Sequence, residues 1–134
     1  SFIRTIGEDE DRLRELDIPL YMQEAYPDIP NSIAYPLDDV MALVGDYFNS
    51  TVSYMLGLAI LEKVDRIGIW GVDMTAEDEF EYQRPNAEYL IGFAKGMGID
   101  IFIPEESSLL TFGVEGGGIH TKNWNGRYGY YSVE

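Results

Sequence analysis

The sequence contains no cysteine, a single histidine, and nine Lys and Arg against 24 Asp and Glu. Without Cys there is no disulfide, no thiolate-ligated zinc and no cysteine nucleophile. The formal charge of −15 repels DNA, RNA and anionic lipid, so neither nucleic acid nor a membrane surface is expected as a partner. The longest nearly apolar stretch, Val52 to Leu61, is about half a membrane span. No signal-peptide pattern is visible, and a soluble, cytoplasmic protein is expected. There is also no P-loop, no G-x-S-x-G and no G-x-G-x-x-G. Gly116-Gly117-Gly118 does not replace them, because no helical pattern follows it.

What is present describes a globular chain. Of 134 residues 46% are hydrophobic, with ten Tyr and six Phe, enough for one compact domain that buries roughly 65–70% of its unfolded surface. Glu8 to Glu15 is densely charged, with Leu13 and Leu16 as its apolar anchors. Asp9-Glu10-Asp11 matches the D-x-D pattern of metal-dependent glycosyltransferases in form, but it reads as a solvated acidic segment.

The apolar pattern then alternates between strand and helix. Residues 18–22 and 32–35 read as short strands, and Leu37 to Val44 has helical spacing with Gly45 at its exit. Asn49 or Ser50 can cap a helix over Thr51–Lys63, whose apolar face is expected at Tyr54, Met55, Leu58, Ala59 and Leu61. Ile67–Gly71 reads as a buried parallel strand, and Thr75–Glu81 as an acidic loop. Pro85 fits a first helical position, followed by Ala87, Leu90, Ile91, Ala94 and Met97 at helical spacing, Gly98 as a cap, and a strand over Ile99–Ile103. Alternating helices and strands with short connections predict right-handed βαβ units. The expected fold is α/β: a Rossmann-like open parallel sheet flanked by helices over residues 1–112. Residues 113–134 are expected to form a Gly-rich hinge and an aromatic β-hairpin arm turning at Asn125-Gly126, with Trp124, Tyr128, Tyr130 and Tyr131 on it. Such an arm either covers a sheet edge, packs on a neighbouring subunit or lines a ligand site.

In an open parallel sheet, ligands bind beyond the carboxyl ends of the strands. That rule selects Gly71, Asp73 and Met74 after one strand, Glu105, Glu106, Ser107 and Ser108 after another, and Gln23 and Glu24 after the first. Ser50 and Thr51 present hydroxyls and free backbone N–H groups at a helix start, suited either to an anion or to plain capping. Asp73 either accepts hydrogen bonds from a ribose or stabilises its turn. Residues 77–81 form either a solvated lid or a metal-linked acidic site. Arg84 either pairs with Glu79 or Glu81 or meets an anionic ligand. The lone His120 is weak ground for catalysis.

The stretch from Asn49 to Met74 resembles, without a gap, the T-S-x-x-Y-M-x-x-x-A-I…G-I-D-F segment of bacterial sialyltransferases that use CMP-sialic acid. Ser50-Thr51, Tyr54-Met55, Ala59-Ile60, Gly71 and Asp73 fall on its motif positions, the first pair with its residue types swapped. Gly71–Met74, Tyr82–Asn86 and Ile103–Leu110 look still more like small proteins encoded in tailed-phage genomes of the same Rossmann-like group, which also includes a hydroxymethylpterin pyrophosphokinase-like family. The resemblance covers residues 18–110. The family's N-terminal strand and nucleotide loop have no counterpart, so the domain is either truncated or divergent relative to the family, or completed by another chain. The family's catalytic His is also missing from Asp78–Arg84.

The resemblance implies a protein that binds a nucleotide or nucleotide sugar; no cofactor is assigned beyond that ligand, with Mg²⁺ an optional ion. If catalytic, it would be a glycosyltransferase of bacteriophage origin acting in the host cytoplasm. Ser50, Thr51, Gly71, Asp73, Met74, Arg84, Ser107 and Ser108 would then bind the nucleotide, and Asp78, Glu79 or Glu81 would stand in for the missing base. The alternative is a non-catalytic ligand-binding or assembly module, a homo-oligomer with the aromatic tail as interface.

Overall fold

The computed structural model describes residues 7–72 and 78–110, and of residues 7–9 and 78–81 the backbone alone. Among the described residues there are four helices and four strands. No helix among them is long and apolar enough to cross a membrane. The expected hairpin arm, with Gly116–Gly118, His120 and its aromatic residues, lies outside the described residues. The chain divides into two compact units, Ser1–Asp38 and Asp39–Glu134.

The first unit carries α1 (Gly7–Glu15), β1 (Leu20–Met22) and β2 (Ser32–Ala34). The strands pair in parallel, Leu20 opposite Ser32 and Met22 opposite Ala34. Parallel strands are usually joined by a longer, helical crossover. Here residues 23–31 suffice, because Ser32 gathers the connection. Its Oγ accepts from the Tyr26 N–H at 2.7 Å and lies 2.7 Å from the Ile29 carbonyl and 3.1 Å from the Tyr26 carbonyl. Met22, Tyr26 and Ile29 form a small core beneath it, with Leu13 and Leu20 packed alongside. On α1, Arg14 ties Glu10 and Asp11 into ion pairs at 3.1 and 2.5 Å. Two of the three acidic residues of the D-x-D-like segment are thus engaged by a neighbouring cation.

The second unit contains α3 (Thr51–Leu61), β3 (Arg66–Gly68), α4 (Asp78–Gly96) and β4 (Asp100–Phe102), preceded by α2 (Leu37–Val44), whose first turn holds the boundary between units. β3 and β4 pair in parallel, Arg66 opposite Asp100 and Gly68 opposite Phe102, with α4 between them in the chain. This is a βαβ unit. Each sheet has two strands among the described residues, both shorter than the apolar runs that signal them. α3 and β4 both pack on α4. Ala87, Leu90, Ile91 and Ala94 of α4 are completely buried, as helical spacing from position 87 requires. Met97 falls outside the helix and is 41% exposed.

Helix ends follow their local chemistry. Ser50 caps α3, its side chain accepting from the Ser53 N–H. At the end of α4, Gly98 sits at φ +87°, its N–H bonded to Lys95 and that of Ile99 to Ala94, a Schellman closure. α3 ends the same way on Lys63, at φ +53°, with bonds from Lys63 N–H to Ile60 and from Val64 N–H to Ala59.

Three sequence expectations are corrected. The buried face of α3 is Ser53, Leu56, Gly57 and Ile60, whereas Tyr54 and Met55 are 41% and 65% exposed. Pro85 does not begin its helix but lies inside α4. Residues 78–81 are the first turn of that helix and not part of a loop. Pro85 leaves the carbonyl of residue 81 without its usual partner. One residue on, the Tyr82 carbonyl accepts from Asn49 Nδ2 at 2.6 Å.

Candidate functional site

A cleft of about 700 Å³ opens at the carboxyl ends of β3 and β4, the end of a parallel pair where ligands are expected. Its lining includes Trp70, Gly71, Phe102, Glu105, Glu106 and Ser107. The strand register builds it. Phe102 is the partner of Gly68 on the neighbouring strand, and Trp70 follows Gly68 by two residues, the spacing of side chains on one face. The two rings meet at 5.2 Å between centroids, tilted by 34°. Both stay open to solvent, Trp70 at 66% and Phe102 at 49%.

Gly68 makes this arrangement possible. A Cβ there would collide with the six-membered ring of Trp70, so the bare backbone serves as the bed on which the indole lies. Gly71 turns the chain away at φ +69°, a conformation that favours glycine. Across the cleft, Ser107 Oγ donates to the Val72 carbonyl at 3.1 Å and accepts from the Leu109 N–H at 3.2 Å. It ties the exit of β3 to the exit of β4. Glu105 and Glu106, in the turn after β4, are exposed.

The structure distributes the sequence candidates unevenly. Gly71 and Ser107 come together at the cleft with Glu105 and Glu106. Ser108 is half-buried beside them in the chain. Ser50 and Thr51 do not line the cleft. Ser50 is committed to capping and lies 2.8 Å from Ser53 Oγ, and Thr51 is exposed. Arg84 pairs with Glu88 at 2.8 Å, one turn further along α4, and the same Glu88 oxygen accepts from the Leu110 N–H. Asp73 and Met74 lie outside the described residues, as do the side chains of Asp78, Glu79 and Glu81. Among the described residues, no cluster of three or more His, Asp or Glu could hold a metal ion.

Trp70 and Phe102 are not among the residues that the sequence pattern singles out. The pattern puts Trp70 within a buried strand, but β3 ends at Gly68 and the indole lies beyond it. The available signal was the Gly-x-Trp spacing: a glycine two residues before a large ring at a strand exit marks a bare bed beside a platform.

A buried polar network joins the start of α3 to α4. Asn86, with no exposed surface, accepts on Oδ1 from Ser53 Oγ and, at 3.3 Å, from the Asn49 N–H. Its Nδ2 donates to the Tyr47 carbonyl. Tyr89 adds a bond from its hydroxyl to the Val44 carbonyl at 2.8 Å.

Compared with family models, with curated proteins and with solved structures, the chain finds no match.

Proposed function

We propose that this chain is a small-molecule-binding α/β module of Rossmann-like type, whose cleft takes the nucleoside part of a nucleotide or nucleotide sugar. The observation that carries the reading is the exposed Trp70–Phe102 pair at the strand ends of a βαβ unit. Two large rings left open to water in a cleft of ligand size favour a flat ligand that stacks on them, and stacking on an aromatic side chain is worth about 1–3 kcal/mol per base. Glu105 and Glu106 can accept hydrogen bonds from ribose hydroxyls or base N–H groups.

The same reading takes β3–α4–β4 as the ligand-binding half of a larger Rossmann-like arrangement, as the resemblance to nucleotide-sugar transferases implies. Sugar transfer is the activity to assay once a nucleotide sugar is found to bind. It would need a base, and the family's His has no counterpart in Asp78–Arg84. Binding is therefore the core of the proposal.

The test is thermal shift of the full chain against nucleosides, nucleotides and nucleotide sugars, with and without Mg²⁺, for wild type and Trp70→Ala. A ligand that binds only the folded state stabilises it by about 2.7 kcal/mol at a hundredfold over its Kd. The expected result is a shift for one nucleoside class that disappears in Trp70→Ala, a substitution at an exposed residue. No shift across the panel would overturn the reading and favour an assembly role.

A further inference from the structure

We infer that the cleft selects its ligand by charge, taking an uncharged nucleoside end and disfavouring phosphate. The inference rests on the reading of the cleft as a nucleoside site and narrows it. Its described lining holds two carboxylates, Glu105 and Glu106, and no Lys, Arg or His. The four cations of the described part of this unit are Lys63, Arg66, Arg84 and Lys95. None of them lines the cleft, and two are visibly committed. Arg66 Nε holds Asp100 at 2.6 Å and Arg84 Nε holds Glu88 at 2.8 Å.

The hydroxyl in the described lining does not reverse this balance. Ser107 already spends its hydroxyl proton on the Val72 carbonyl. Ser50, at the N-terminus of α3, is turned to its own helix. The chain as a whole adds repulsion, with a formal charge of −15. The chemistry displayed is a pair of apolar ring faces beside two hydrogen-bond-accepting carboxylates. That set suits a neutral ring system carrying hydroxyl or amino donors, and opposes a dianion.

The experiment is calorimetric titration of the full chain, in low salt with a chelator, against four nucleosides and their 5′-mono- and diphosphates. Two carboxylates about 8 Å from a phosphate charge in water weaken binding about fivefold before screening. The expected result is that the best nucleoside binds more tightly than its monophosphate and the diphosphate most weakly. The gap should shrink as salt is raised. It should shrink again in the Glu105→Gln/Glu106→Gln double variant, each phosphate being compared with that variant's own affinity for the parent nucleoside. A phosphate that binds more tightly than its parent nucleoside would overturn the inference and leave the nucleoside reading standing. So would a ranking unchanged by the double substitution. If no nucleoside or nucleotide binds at all, the reading of the cleft fails and the charge selection falls with it.

Discussion

The Trp70 indole lies over Gly68 so closely that a Cβ on residue 68 would overlap its ring. One residue's missing side chain thus sets the attitude of another residue's aromatic face. Gly68 is not in a left-handed conformation, so the constraint is one of space rather than of backbone.

Gly68→Ala should therefore displace the indole without unfolding the protein. Residue 68 is exposed and the backbone admits alanine, so stability should stay within about 0.5 kcal/mol of wild type. Trp124 is the only other Trp, so a Trp124→Phe background isolates the Trp70 emission. Gly68→Ala should shift that emission and weaken any cleft ligand about tenfold, a typical stacking contribution. An unchanged spectrum with unchanged affinity would show that the bed is not needed.

Much of the framework can be read in the sequence, and the part that cannot has a physical cause. α2 appears over the span its periodicity marks, and the buried stripe of α4 is the one its spacing predicts, because polar residues on the other face set the phase. α3 has few such markers: its span from Thr51 to Leu61 is apolar nearly all round. The face that wins is the one carrying Ser53, since only there does a partner, Asn86, satisfy the hydroxyl. That partner is 33 residues away and no local pattern announces it. Pro85 misleads for a related reason. Its preference for a first turn is overridden because the preceding residues, 78–84, already run as helix. The cleft was half legible, through Gly71 and Ser107 at the strand exits. Its aromatic floor depends on register across β3 and β4, which the local pattern does not contain.

Lys63 closes α3 in a conformation that costs a side-chain-bearing residue about 1–2 kcal/mol. Glycine removes that cost but loses more entropy on folding. Lys63→Gly should therefore stabilise the chain by about 0.5–1 kcal/mol. The readout is a higher urea midpoint at unchanged slope. A lower midpoint would mean that the Lys63 side chain contributes a contact worth more than the strain.

Ser32 is the hub of the first unit, and its loss should be felt there first. Ser32→Ala leaves the Tyr26 N–H without its acceptor and the Ile29 carbonyl without that hydroxyl. The Ile29 carbonyl keeps the Ser32 backbone N–H at 3.0 Å, so the penalty centres on Tyr26. A part-buried donor left unmet costs about 1–3 kcal/mol. Hydrogen exchange should show lost protection at Tyr26 and Ile29, with α3 and α4 little changed. Equal loss in both units would contradict this local assignment.

Asn86 poses the sharpest test of what holds α3 on α4. Its amide is fully buried and satisfies three groups at once: Ser53 Oγ, the Asn49 N–H and the Tyr47 carbonyl. Asn86→Ala removes all three partners and should cost about 3 kcal/mol. Asn86→Asp keeps the shape but turns an acceptor toward the Tyr47 carbonyl, and it brings a charge into the interior. It should be no milder than alanine. Ser53→Ala alone should cost about 1 kcal/mol, because Oδ1 retains the Asn49 N–H. Since both residues belong to one network, the Ser53→Ala/Asn86→Ala double variant should lose less than the sum of the singles, by about 0.5–1 kcal/mol. Urea unfolding of the four variants checks the cycle. Strict additivity would mean that Ser53 and Asn86 stabilise the helix pair independently, and that the contact between them contributes nothing.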